Sequence, residues 1–152
     1  MPDPITFTPA SPRYALPLLF PGQSQKEFYV NEAHALIDAL LHPAVAGEAN
    51  DPPTAPADGE CWLVGAEPTE LWKDHAAELA CWSSGGWLFV APREGMCLLN
   101  QSTGQMGLYR AGEWAWATPP SLPAGGSTVD SQARAAIADL VAALAASGIF
   151  PG

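Results

Sequence analysis

Positive charge is scarce in this sequence. Its 152 residues carry 6 Lys and Arg against 16 Asp and Glu, a formal net charge of −10. Affinity for phosphate backbones and for anionic lipid surfaces comes from Lys and Arg, so nucleic acid and membrane surfaces are not expected partners. Charge of either sign is thin, 14% of residues against a usual ~25%. A coiled coil laced with Glu, Lys and Arg is therefore excluded. A disordered acidic tail is excluded too, because it combines high charge with low hydrophobicity and this chain is 48% apolar. No run reaches the ~18 apolar residues of a membrane helix. Residues 1–10 lack the basic and apolar regions of a targeting signal. Cysteine is limited to Cys61, Cys81 and Cys97, an odd number with no CxxC pair. They read as reduced, buried, strand-borne residues of a chain made in the cytoplasm.

Signatures of catalysis are missing as well. The sequence has no GxSxG, GxxxxGK[ST], GxGxxG or HExxH. His34, His42 and His75 are scattered. Asp74, His75 and Glu78 could share a helical face, but no fourth ligand stands at a recognisable spacing. The expectation is a protein that is not an enzyme, with no catalytic residues, no metal and no cofactor.

What is abundant is proline, 16 residues, about twice the average usage of ~5%. Six fall within residues 1–22, which excludes a helix there, because proline lacks the amide donor. That segment reads as an extended arm whose apolar part spans Tyr14 to Phe20. A helix is expected over residues 23–41, where Val30, Ala33, Ile37, Leu40 and Leu41 recur at spacings of three and four. Residues 47–59 read as a loop, and residues 66–78 as a loop or short helix. Short β-prone runs cover residues 60–65, 79–82, 87–91, 96–100, 107–110 and 114–117, with glycine-bearing turns between several of them. They predict an antiparallel meander. After a Pro/Gly linker at residues 118–126, a last helix is expected to start near Ser127-Thr-Val-Asp130, a cap with an acid in the first turn, and to end at Ser147 before Gly148.

The fold class that follows is α+β: a small antiparallel β-meander with an N-terminal helix, a proline-rich extended arm and a C-terminal helix. The organisation read from the sequence is an arm at 1–22, a core domain at 23–117, a linker at 118–126 and a helix at 127–152. Ala133, Ile137, Leu140 and Leu144 make a heptad-like stripe on that helix. Docking on its own domain and self-association both stand as readings of it. The chain shows more apolar surface than one compact domain needs, and such patches mark interfaces. Candidate contacts with a second copy or with another protein are Tyr14, Leu16, Leu18, Leu19 and Phe20 of the arm and Ile137, Leu140 and Leu144 of the helix. Six tryptophans stand out. Most belong in a core, but Trp87, Trp114 and Trp116 are candidates for stacking on sugar rings, and both readings stay open.

Several motifs recur in an order that resembles a known family. They are Leu16-Pro-Leu-Leu19, Pro21-Gly-Gln-Ser-Gln-Lys-Glu27, Asn31-Glu-Ala33, Ala57-Asp-Gly-Glu-Cys-Trp62, Trp72 with His75, Trp82 through Gly85-Gly-Trp87 and Phe89, and Ala91-Pro-Arg-Glu-Gly-Met96. The ending, from Ala133-Arg-Ala-Ala-Ile137 to Gly148-Ile-Phe150, fits as well. Together they resemble the phage-associated domain of unknown function family 2793. The resemblance implies a virion structural protein of a phage-like particle or gene transfer agent, a head-spike or tail-fibre base or adaptor. It further implies host attachment, a homo-oligomer (ring or trimer), contacts with other capsid, spike or fibre proteins, and localisation in the particle. Host capsular polysaccharide is the alternative partner, bound directly by a carbohydrate-binding module. An enzyme acting on glycans is the remaining reading. The family supplies no catalytic residues to carry over.

Overall fold

The computed structural model describes residues 17, 19, 22, 24, 26–83 and 85–152. Helix α1 (Lys26–Leu41) opens the described fold and stops before Pro43. The chain then runs through β1 (Ala44–Val45) and β2 (Glu48–Ala49). These two short strands form one extended stretch that changes sheets at Ala46 and Gly47. Val45 pairs in parallel with Asn100, whereas Ala49 pairs in parallel with Val64. Backbone bonds lock the switch: Ala46 N donates to Cys61 O at 2.8 Å, and Leu63 N donates to Gly47 O at 3.0 Å.

The remaining strands are β3 (Cys61–Val64), β4 (Leu79–Ser83), β5 (Gly86–Val90), β6 (Cys97–Asn100), β7 (Gln105–Arg110) and β8 (Glu113–Ala115). They form two four-stranded sheets, ordered β1-β6-β7-β8 and β2-β3-β4-β5. The α+β class read from the sequence holds. The antiparallel strands, however, divide between two sheets, and the segment 44–49 adds a parallel edge to each. Those edges escaped the sequence reading because two-residue strands carry no periodicity.

The main core lies between the sheets and beneath α1. Leu36 of α1 meets Val45, Leu63, Leu79, Cys81, Val90, Met96 and Leu98. Period-two alternation selects these residues. In the second sheet Leu63 stands opposite Leu79, and Leu79 opposite Val90, so all three share the inner face. Trp62, Ala80 and Phe89 occupy the outer face. That face is not left to water, because a second, smaller cluster of Val64, Trp72 and Ala80 covers it.

Helix α2 (Ser131–Ala146) closes the fold. The helix starts about one turn later than the Ser127 region read from the sequence: its cap is Asp130, whose carboxylate accepts from Ala133 N at 2.9 Å. Gly148, at φ 76, takes the left-handed position after the helix. There the chain is tied to β7: Met106 N donates to Gly148 O at 2.6 Å, and Gln105 Nε2 donates to Ile149 O at 3.0 Å. Phe150 is buried.

Candidate functional site

The loop between β3 and β4 builds the outer aromatic face of the second sheet. A 3₁₀ turn at Glu70–Trp72 drives the Trp72 indole inward until it is 0% exposed. Bonds along the loop hold this turn. Thr69 N donates to Asn50 O at 2.9 Å, the Thr69 hydroxyl donates to Asp51, and Ala77 N donates to Val64 O at 3.0 Å. Three residues that are not glycine take positive φ here: Glu70 at 49, Asp74 at 72 and Ala77 at 63. Left-handed backbone costs an L-residue roughly 1–2 kcal/mol, so burial of Trp72 has to offset that strain.

Around Trp72 the rings form a continuous cluster. Trp62 lies 6.4 Å away centroid to centroid, and Trp87 stands edge-on at 5.1 Å. Trp87 also meets Trp82, its partner across the β4–β5 hairpin, at 5.0 Å. Trp72 Nε1 is buried and has no hydrogen-bond partner among the described residues. Trp62 Nε1, by contrast, donates to Glu60 Oε1 at 2.6 Å.

Trp82 and Trp87 are both half-buried and form one wall of an open groove of about 410 Å³. The opposite wall is the proline run Pro52, Pro53 and Pro56, and Leu71 and Glu70 complete it. Leu71 is 71% exposed, an unusual state for a leucine beside a tryptophan core. Such a groove offers flat ring faces, a rigid apolar wall and one carboxylate.

A second cleft of about 240 Å³ lies beside α1, lined in part by His75, Glu78, Phe89 and Arg93. The His75 Nδ1 is 2.8 Å from Glu78 Oε2, and its ring stacks on Phe89 at 3.6 Å with an interplanar angle of 4°. The pair joins the loop to the sheet. Among the described residues no side-chain hydroxyl or thiol lines this cleft. No group of three or more His, Cys, Asp or Glu among the described residues is placed to hold a metal ion.

Of the three cysteines expected to be buried, only Cys81 is; Cys61 is half-buried, and Cys97, the first residue of β6, is exposed because its side chain falls on the opposite face from Leu98. Cys61 and Cys81 stand directly opposite each other on β3 and β4. Their mutual hydrogen bond and burial push the Cys81 thiol well above its ordinary range. Such a thiol stays protonated and is a poor nucleophile.

The residues singled out in the sequence are dispersed. Tyr14, Leu16, Leu18 and Phe20 lie outside the described residues, while Leu19 is exposed. Ile137 and Leu140 are exposed on α2, and Leu144 is half-buried. Trp114 and Trp116 are half-buried and pack against the main core. Trp114 Nε1 donates to Ala77 O at 3.0 Å, and the Trp116 ring covers Gly107. Of the three candidate sugar contacts, only Trp87 borders the proline-walled groove. Sequence reasoning passed over Trp82, Leu71 and the proline run. The hairpin did carry a signal, because Trp82 and Trp87 flank a four-residue turn symmetrically and so pair across it.

A family model described as "Protein of unknown function (DUF2793)" matches residues 30–115, more than half of the chain, and the chain belongs to that family. No curated protein matches the sequence. The matched span takes in both sheets and every residue named in the groove; α2 lies beyond it.

Proposed function

We propose that this member of the family is a virion structural protein, a self-associating head-spike or fibre base of a phage-like particle such as a gene transfer agent. The particle setting is what the resemblance of the ordered motifs implies, and the observation that supports self-association is the state of α2. None of its sixteen residues is buried, and half of them are alanine. Isolated helices of about that length are marginal in water even when alanine-rich. Tertiary or quaternary contacts must therefore supply the missing stability. The helix has Arg134, Ala138, Val141 and Ala145 half-buried along one stripe. Ile137 and Leu140 remain outside it, 37% and 63% exposed.

At the foot of α2 the outer face of the first sheet is apolar too. Met106 and Leu108 point outward there, and with Ile149 and an edge of the inward-packed Trp116 they line an open groove of about 260 Å³. Exposed apolar residues on the helix and on the adjoining sheet supply one surface that a second copy would cover. The remaining exposure of Ile137 and Leu140 together amounts to about one whole side chain. Covering it is worth roughly 1.5–3 kcal/mol per copy. In a dimer this changes the dissociation constant by roughly two to four powers of ten.

Sedimentation velocity tests the reading. The full chain sediments as an oligomer at micromolar concentration, and Leu140→Asp sediments as a folded monomer with unchanged circular dichroism in the strand region. A wild-type chain that remains monomeric across the concentration range refutes self-association. Immunogold labelling of purified particles tests the setting separately; label confined to the soluble fraction removes the virion assignment. In this reading the chain has no turnover, and any attachment to host polysaccharide runs through the assembled spike.

A further inference from the structure

The groove walled by Trp82, Trp87, Pro53 and Pro56 faces outward with no residue of the described chain filling it. Its chemistry matches one mode of peptide recognition. Proline-rich segments in the polyproline II conformation dock into aromatic-lined grooves, because their backbone is extended in advance and little entropy is lost on binding. In that helix the two prolines of a PxxP pattern lie one turn apart, about 9 Å, on the same face. Two half-buried indoles and a proline wall accept such a ridge. Glu70 at the rim then favours a ligand with a basic residue beside its prolines.

The chain itself contains that ligand. Residues 9–13 read Pro-Ala-Ser-Pro-Arg, a PxxP pattern followed at once by a cation. Arg13 is the only Lys or Arg before Lys26. The loop that holds the groove is as acidic as the rest of the 48–78 stretch, in which Lys73 is the single cation. The other proline-rich stretch, residues 119–123, lacks a basic residue until Arg134 and is exposed throughout. Charge complementarity therefore selects the arm over the linker.

We infer that the groove between the β4–β5 hairpin and the 52–56 proline run is the docking site for the chain's own Pro9–Arg13 segment, with Arg13 paired to Glu70. This inference does not depend on the particle assignment, since it concerns only the family domain and its arm. Residues 9–13 lie outside the described residues, so the occupant is identified by its sequence chemistry.

The test uses the full chain and two readouts. Trypsin cuts after Arg13, and docking shields that bond. Glu70→Gln is an exposed substitution that leaves the core intact, removes the charge and adds no tryptic site. It accelerates cleavage at Arg13 about fivefold, the scale of a lost exposed ion pair, while cleavage after Arg134 is unchanged. The indole resonances of the six tryptophans supply the second readout. Arg13→Glu and Glu70→Lys each shift the Trp82 and Trp87 signals towards those of Pro9→Ala/Pro12→Ala, and the double charge swap restores them. A cleavage rate at Arg13 that ignores both the Glu70 substitution and Pro9→Ala/Pro12→Ala, with indole signals that ignore every arm variant, overturns the inference. So does an oligosaccharide that shifts Trp87 while the arm variants do not, which assigns the groove to sugar. Protection that is independent of protein concentration identifies an intramolecular clasp, and protection that rises with it identifies a neighbouring copy; both support the docking.

Discussion

Trp72 holds the outer face of the second sheet, and its removal makes a quantitative test of that role. The side chain is fully buried among Trp62, Val64, Ala80 and Trp87. Trp→Ala in a core costs about 3–5 kcal/mol, including the cavity left behind. Whole domains are stable by only about 5–15 kcal/mol. With a urea slope of about 2 kcal/mol/M, Trp72→Ala lowers the unfolding midpoint by about 1.5–2.5 M. Trp72→Phe separates volume from polarity. It keeps an aromatic edge against Trp87 and deletes Nε1–H, a buried donor with no partner among the described residues. An unmade buried hydrogen bond costs about 1–3 kcal/mol, which offsets most of the lost ring volume. The expected midpoint shift for Trp72→Phe is below about 0.5 M. Far-UV circular dichroism is the suitable probe, since the substitution alters the fluorescence itself. A Trp72→Ala midpoint within about 0.5 M of wild type removes the second core from the stability of the domain. A Trp72→Phe variant as damaged as the alanine shows that Nε1 has a partner, a buried water for instance.

Glu60 accepts from Ala57 N at 3.0 Å and from Trp62 Nε1 at 2.6 Å, and these bonds hold its carboxyl below the ordinary value. Its stabilising contribution is complete above the ordinary glutamate range and is lost as pH falls through the lowered value. Glu60→Gln flattens the stability profile in that acid window and nowhere else; a profile identical to wild type refutes the assignment. The Cys61–Cys81 pair is flanked by the bonds Trp82 N to Glu60 O and Val64 N to Glu78 O, which makes it a non-hydrogen-bonded pair. Such pairs have Cα atoms ~4.5 Å apart, within the ~4.4–6.8 Å range that disulfides span. Diamide, which takes two electrons and two protons from the thiols, lowers the titre from three free thiols per chain to one, and Cys81→Ser prevents the loss. A titre that stays at three counts against the juxtaposition. Gly107→Ala puts a Cβ 2.6 Å from the Trp116 ring. Overpacking of this kind costs about 1–3 kcal/mol, or roughly 2–12 °C in melting temperature. An unchanged melting temperature shows that the Trp116 ring is free to move aside.

The periodic parts of this fold were legible in its sequence, and the parts closed by tertiary contact were not. The helix over residues 26–41 follows from its three- and four-residue spacing. The β4–β5 hairpin follows from two apolar runs about a glycine-rich turn. The division into two sheets does not, because it depends on where residues 44–49 find partners, and a two-residue strand has no pattern of its own. Trp72 was hidden for the same reason. It sits between Glu70 and Asp74 in a stretch without apolar period, and the strained turn, held by bonds from Thr69 to Asn50 and Asp51 and from Ala77 to Val64, brings it inward. The proline run 52–56 reads as a loop by composition, correctly. Nothing local places it against Trp82, which lies some thirty residues along the chain.

The two sheets divide the exposed apolar surface between them. The sheet β1-β6-β7-β8 carries Met106 and Leu108 outward and anchors the foot of α2 through Gln105 and Gly148. The sheet β2-β3-β4-β5 carries the tryptophan groove on its own outer face. Both faces rest on the shared core beneath α1, so a change in either surface should leave the other intact. Leu140→Asp should therefore abolish self-association without exposing the Arg13 bond to trypsin when the arm docks on its own copy. Glu70→Gln should expose that bond without changing the mass of the assembly. If the arm docks on a neighbour instead, the two variants fail together. That result would make the groove and α2 two halves of one assembly contact, built on opposite sheets of the same small domain.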